Sequence, residues 1–135
     1  MVRIIFNAVG EGYEMNLMAN SIVVLVAILH IYFMILEMFL WTRPLGLKIF
    51  RQSIEMANAS SVLAANQGLY NGFLAAGLIW SLFVAEVSFG RQIQIFFLSC
   101  VAIAGIYGGW TVHKRIFFVQ CLPALIGLIV LGFLR

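Results

Sequence analysis

Residues 20–41 read NSIVVLVAILHIYFMILEMFLW. Apart from Asn20, Ser21, His30 and Glu37, the stretch is apolar or aromatic. A helix needs about 20 apolar residues to cross the hydrocarbon core of a bilayer. This segment has that length and ends on Trp41, a residue type that anchors at the membrane surface. The pattern recurs at residues 62–83, 93–112 and 116–134. The whole chain agrees: its 135 residues are 64% hydrophobic and only 10% charged, with a mean hydropathy of +1.07. A soluble domain carries roughly 25% charged residues, so this chain cannot cover a water-exposed surface. Backbone in lipid must bond internally, and the periodicity is not that of a barrel. The sequence therefore predicts an all-α membrane protein. Its expected form is an antiparallel four-transmembrane-helix bundle with a short interfacial amphipathic helix between spans one and two.

That interfacial helix is read from the connection after Trp41. Pro44 suits the first turn of a new helix. Lys48, Arg51, Gln52 and Glu55 then share one face, while Leu47, Phe50 and Ile54 share the other. Such a segment lies flat at a membrane surface and ties two spans together.

The net charge of +3 is dispersed at span ends and points to no nucleic-acid partner. Arg43, Lys48, Arg51, Lys114 and Arg115 fall on one side, and Arg3, Arg91 and Arg135 on the other. Five cations against three place the first and third connections inside the cell and both termini outside. The expected location is a bacterial cytoplasmic membrane, with the lipid bilayer as the first partner. Residues 1–14 (MVRIIFNAVGEGYE) differ from the rest and are read as an N-terminal extension that is not native. Met15 would be the natural start, and residues 15–135 one four-span domain. Cys100 and Cys121 sit at different depths and read as small hydrophobes rather than a disulfide. The sequence holds no metal-ligand cluster, no cofactor motif and no partnered nucleophile, which leans against an enzyme.

The second span carries two patterns. Ala64, Gly68, Gly72 and Ala76 recur every four residues, and Gly105 and Gly109 repeat the motif in the third span. Small residues at that spacing let another helix approach closely, either within a bundle or at a homodimer seam. Superposed on them are Asn66, Gln67, Tyr70 and Asn71, four polar side chains within six residues. Folding spans one and two as a hairpin sets Glu37 opposite Asn66 and Gln67, with His30 and Asn71 deeper. Gln120 in the fourth span is expected near the depth of Glu37. An acid within a span is costly, about 2.5–3.5 kcal/mol at its centre and less near its edge, so Glu37 should face the protein. His30, Glu37, Asn66, Gln67, Tyr70, Asn71 and Gln120 are thus the candidate pocket for a small molecule or a proton.

The stretches LEMFLWTRPLGLKIF (36–50), LAANQGLYNGFLAAGLIW (63–80), GIYG (105–108) and QCLPA (120–124) resemble the small bacterial membrane proteins of domain-of-unknown-function family 1304. The resemblance covers nearly all of the chain after Met15. It implies a four-helix integral membrane protein with no settled activity, and it puts Glu37, Asn66, Gln67, Tyr70, Asn71, Gln120 and Pro123 at motif positions. Three functions compete. The first is binding or transport of a small molecule or proton. The second is a structural or accessory membrane subunit. The third is a membrane enzyme acting on a lipid-like substrate, with Glu37 and His30 as acid and base.

Overall fold

The computed structural model describes the backbone of residues 2–133 and side chains over residues 16–133. Every element among the described residues is helical. In chain order these are α1 (Val2–Phe39), α2 (Pro44–Phe50), α3 (Ile54–Phe83), α4 (Val87–Thr111), α5 (Lys114–Ile116), a π-helical turn (Phe117–Cys121) and α6 (Leu122–Phe133). Three helical stretches are long and apolar enough to cross a membrane: Asn16–Phe39, Val87–Thr111 and Lys114–Phe133. The expected second span lies within α3, which at 30 residues has the length. Its amides, Asn58, Asn66, Gln67 and Asn71, lower its hydropathy, and it is not among those three. The side chains of residues 1–14, read above as a non-native extension, lie outside the described residues.

The chain divides into two compact units, Met1–Val26 with Gly77–Arg135, and Ala27–Ala76. In Ala27–Ala76, α1 meets α3 at glycine. A Cβ added at Gly68 would stand 2.7 Å from Met38 Cγ and 3.0 Å from Glu37 Cβ, and one at Gly72 would stand 2.8 Å from Met34 Sδ. The row that buries on α3 is Ala64, Gly68, Asn71 and Ala75, while Ala76 is exposed. An α-helix has 3.6 residues per turn, so a strict spacing of four drifts around the cylinder, and steps alternating four and three stay on one face.

The connection from α1 to α3 is tighter than one amphipathic helix. Pro44 opens α2, as its missing N–H and fixed φ favour. The helix stops seven residues later at Arg51, whose φ of 52° and ψ of 46° are left-handed. Gln52 N–H then bonds back to the Leu47 carbonyl, a wrap that closes helix ends. The polar face predicted to run from Lys48 to Glu55 is therefore split, and Ile54 and Glu55 open α3 instead. Trp41 packs its ring on Phe50 at 4.5 Å and donates from Nε1 to Ser60 Oγ at 3.1 Å.

In the larger unit, α4 carries the buried residues Leu98, Val101 and Ala102. Gly105 lies against the backbone of Cys121, 2.6 Å from its nitrogen to an added Cβ, and Gly109 lies against Phe117. Both cysteines are free thiols, and Cys121 is buried. Ahead of Pro123 the helix widens: Leu122 N–H bonds to the carbonyl of Phe117, five residues back. A proline ring clashes with the carbonyl four residues before it and leaves that carbonyl without a donor. One wide turn accommodates both problems.

Candidate functional site

Glu37 is buried in the last turn of α1, only 6% exposed, and both of its carboxylate oxygens are engaged. Gln67 donates from Nε2 to Oε1 at 3.0 Å, and Asn71 donates from Nδ2 to Oε2 at 2.7 Å. The two amides stand four residues apart, hence one above the other on α3. Gly68 makes the reach possible. With no side chain there, the Glu37 Cβ comes close to the α3 backbone, and the carboxylate sits within reach of a donor on either side. Met34, three residues before Glu37 on α1, and Met38, the residue after it, occupy the space beside Gly72 and Gly68. The cluster is thus close-packed.

His30, seven residues earlier on α1, is also buried, with its ring edge-on to Phe33 at 5.9 Å. Asn66 and Tyr70 are exposed, and Tyr70 packs edge-on against Phe73. Gln120 is half-buried on the π-helical turn, in the other compact unit. Of the seven side chains expected at the site, the hydrogen bonds gather Glu37, Gln67 and Asn71.

The larger unit holds a polar pair that sequence reading passed over. Buried Gln94 donates from Nε2 to Asn20 Oδ1 at 3.0 Å. Both residues fall near the first residue of an apolar stretch, where polar side chains are ordinary. Their one usable signal was that each is an amide at the same end of its span.

Chemically, the Glu37 cluster is a carboxylate held by two neutral donors. Among the described residues, no lysine or arginine pairs with it, and no group of three His, Cys, Asp or Glu side chains stands ready to hold a metal. A carboxamide offers N–H donors on one side and a carbonyl acceptor on the other. By turning over, each amide can therefore serve the acid in either protonation state.

The profile of a family described as "Protein of unknown function (DUF1304)" matches residues 24–132. The chain belongs to the DUF1304 family. This DUF1304 protein is also similar to the uncharacterized protein YpaA of Lactococcus lactis subsp. lactis. The two are 31% identical over 117 residues, which cover 85% of this chain and 97% of that protein. No solved structure matches this DUF1304 protein.

Proposed function

We propose that this protein is a multi-pass membrane protein that binds a proton, or a small hydrogen-bonding cation, at Glu37. The observation that supports this reading is the clamp of two neutral amides on one buried acid. Glutamine at position 37 would still fasten α1 to α3 through its carbonyl acceptor, without the cost of an acid in the membrane. The acid is explained if its charge or its proton is used. Gln67 and Asn71 are then the adaptable ligands, and His30, Asn66 and Tyr70 of the same unit belong to the path or pocket that serves them. Four antiparallel spans form the frame, with α3 as the second. The succession of contacts in Ala27–Ala76 supports that direction: Trp41 meets Ser60, Met38 meets Gly68, and Met34 meets Gly72. The proposed setting is a bacterial cytoplasmic membrane with both termini outside.

A second reading is a structural or accessory subunit in which the clamp is only a fastening. Close packing of Met34 and Met38 against Gly72 and Gly68 favours it, since those side chains fill the groove from within the chain. Proton-linked flux across liposomes holding the purified chain separates the two. The binding reading expects uptake that Glu37→Gln abolishes while the helical fold persists. Flux that Glu37→Gln leaves unchanged would remove Glu37 from any transport role and favour the fastening.

A further inference from the structure

An open groove of ≈ 300 Å³ lies where α4 ends and α5 begins, lined by Ile106, Gly109, Trp110, Lys114, Phe117 and Phe118. Its walls are apolar and outward-facing: Trp110 is 86% exposed, Phe118 61% and Ile106 52%. Its rim is cationic. Lys114 lines it, Arg115 follows, and His113 at the head of α5 accepts the Arg115 backbone N–H on Nδ1 at 3.1 Å. All three rim residues are exposed. Among the described residues no carboxylate answers them. Among the described residues of this unit the only acid is Glu86, which caps the far end of 25-residue α4, about 37 Å away at ~1.5 Å per residue.

We propose that this groove binds an anionic phospholipid, with the headgroup phosphate on Lys114 and Arg115 and an acyl chain along Trp110, Phe117 and Phe118. Two features argue for this occupant over others. The uncompensated positive rim selects an anion, and the aromatic walls select a ligand that carries a hydrocarbon chain beside its charge. A free phosphate would use only the rim, and a neutral lipid only the walls. Trp110 is the amphipathic ring type that sits where chain and headgroup meet. The position is also apt: a basic cluster next to a span on the side facing anionic lipid is drawn to it, with a gain of about fivefold in affinity per cation. The proposal rests on the membrane-spanning reading of Lys114–Phe133 and is independent of Glu37.

Trp110 supplies the probe. In a chain carrying Trp41→Phe and Trp80→Phe it is the sole tryptophan. The chain is reconstituted into vesicles of equal parts phosphatidylglycerol and phosphatidylcholine, with one lipid or the other dibrominated. The expected result is stronger Trp110 quenching by brominated phosphatidylglycerol, equivalent to a preference of about fivefold or more. The preference falls toward one in Lys114→Gln/Arg115→Gln, whose exposed side chains leave the helical circular dichroism unchanged. Raising salt weakens it, because exposed charges are screened. Equal quenching by the two lipids, or a preference that survives the double substitution, overturns the site. So does full competition by millimolar glycerol phosphate, which would show a plain phosphate site. A chain that fails to float with the vesicles overturns the membrane reading together with the site, whereas one that floats but shows no preference overturns the site alone.

Discussion

Alanine at position 68 and alanine at position 72 are the same chemical change in one helix, and the structure assigns them different costs. A methyl at 68 would meet Met38 Cγ at 2.7 Å, Glu37 Cβ at 3.0 Å and the Met34 carbonyl oxygen at 3.2 Å. Only the first of these can rotate away. The other two are main chain or the first side-chain carbon, so relief requires moving α1 off α3. Overpacking of that kind costs about 1–3 kcal/mol, while alanine recovers up to ~1 kcal/mol over glycine in helix propensity. The net expectation for Gly68→Ala is a loss of about 1–2 kcal/mol. A methyl at 72 would meet Met34 Sδ at 2.8 Å and nothing else closer than 3.7 Å. A thioether is pliant, and its rotation costs of the order of 1 kcal/mol, which propensity returns. Gly72→Ala should therefore be near neutral. Reversible unfolding by SDS in mixed micelles, followed by circular dichroism, measures both. Two equal losses, or a larger loss for Gly72→Ala, would refute the packing of Met34 and Met38 as the origin of the difference.

Other substitutions test other contacts. Gly105→Ala faces the nitrogen, Cα and Cβ of Cys121, all within 2.9 Å, and should cost about 3 kcal/mol or more in the same assay. Glu37→Ala leaves Gln67 and Asn71 without their acceptor and should cost about 1–3 kcal/mol, while Glu37→Gln retains an acceptor and should cost less than half as much. Arg51→Gly removes a side chain from a left-handed residue and should stabilise the chain by up to ~1 kcal/mol. Glu55 has its carboxyl held below the ordinary carboxylate range by its own backbone N–H and then by the Ser53 hydroxyl. A lowered acid stabilises the fold above its ordinary value, and that contribution is lost as pH falls through the lowered one. Ser53→Ala should move the Glu55 titration upward, as read by carbon NMR of its carboxyl.

Three of the expected spans were legible because their apolar runs are long, and the helices that carry them end within two residues of the sequence reading. Their starts were less legible: α1 begins at Val2 and α4 at Val87, well ahead of the apolar runs at 20 and 93. The expected second span was harder to read. Its amides drew attention as a candidate site but lower the hydropathy by which a span is recognised, and α3 begins at Ile54, eight residues before the apolar run does. Counting residues from each end of a hairpin named Gln67 as a neighbour of Glu37 but set Asn71 deeper, beside His30. A glutamate side chain is long enough to bridge one helical turn, and Asn71 lies one turn from Gln67. The stop of α2 at Arg51 left no trace in sequence, because a left-handed arginine has no residue signature. The Asn20–Gln94 bond was hidden for a different reason: each amide alone is an ordinary span-end residue.

The wide turn at Phe117–Cys121 has a consequence for anyone aligning relatives of this chain. One extra residue in a turn advances everything beyond it by about 100° around the helix axis. A helical wheel drawn straight through Lys114–Phe133 would put the residues after Cys121 on the wrong sector. Relatives that lack Pro123 have no steric need for the wide turn. They can lose one residue from this segment and keep their outward and inward positions intact. A single-residue gap in such an alignment would then record a change of helix geometry, with the faces on either side of it conserved.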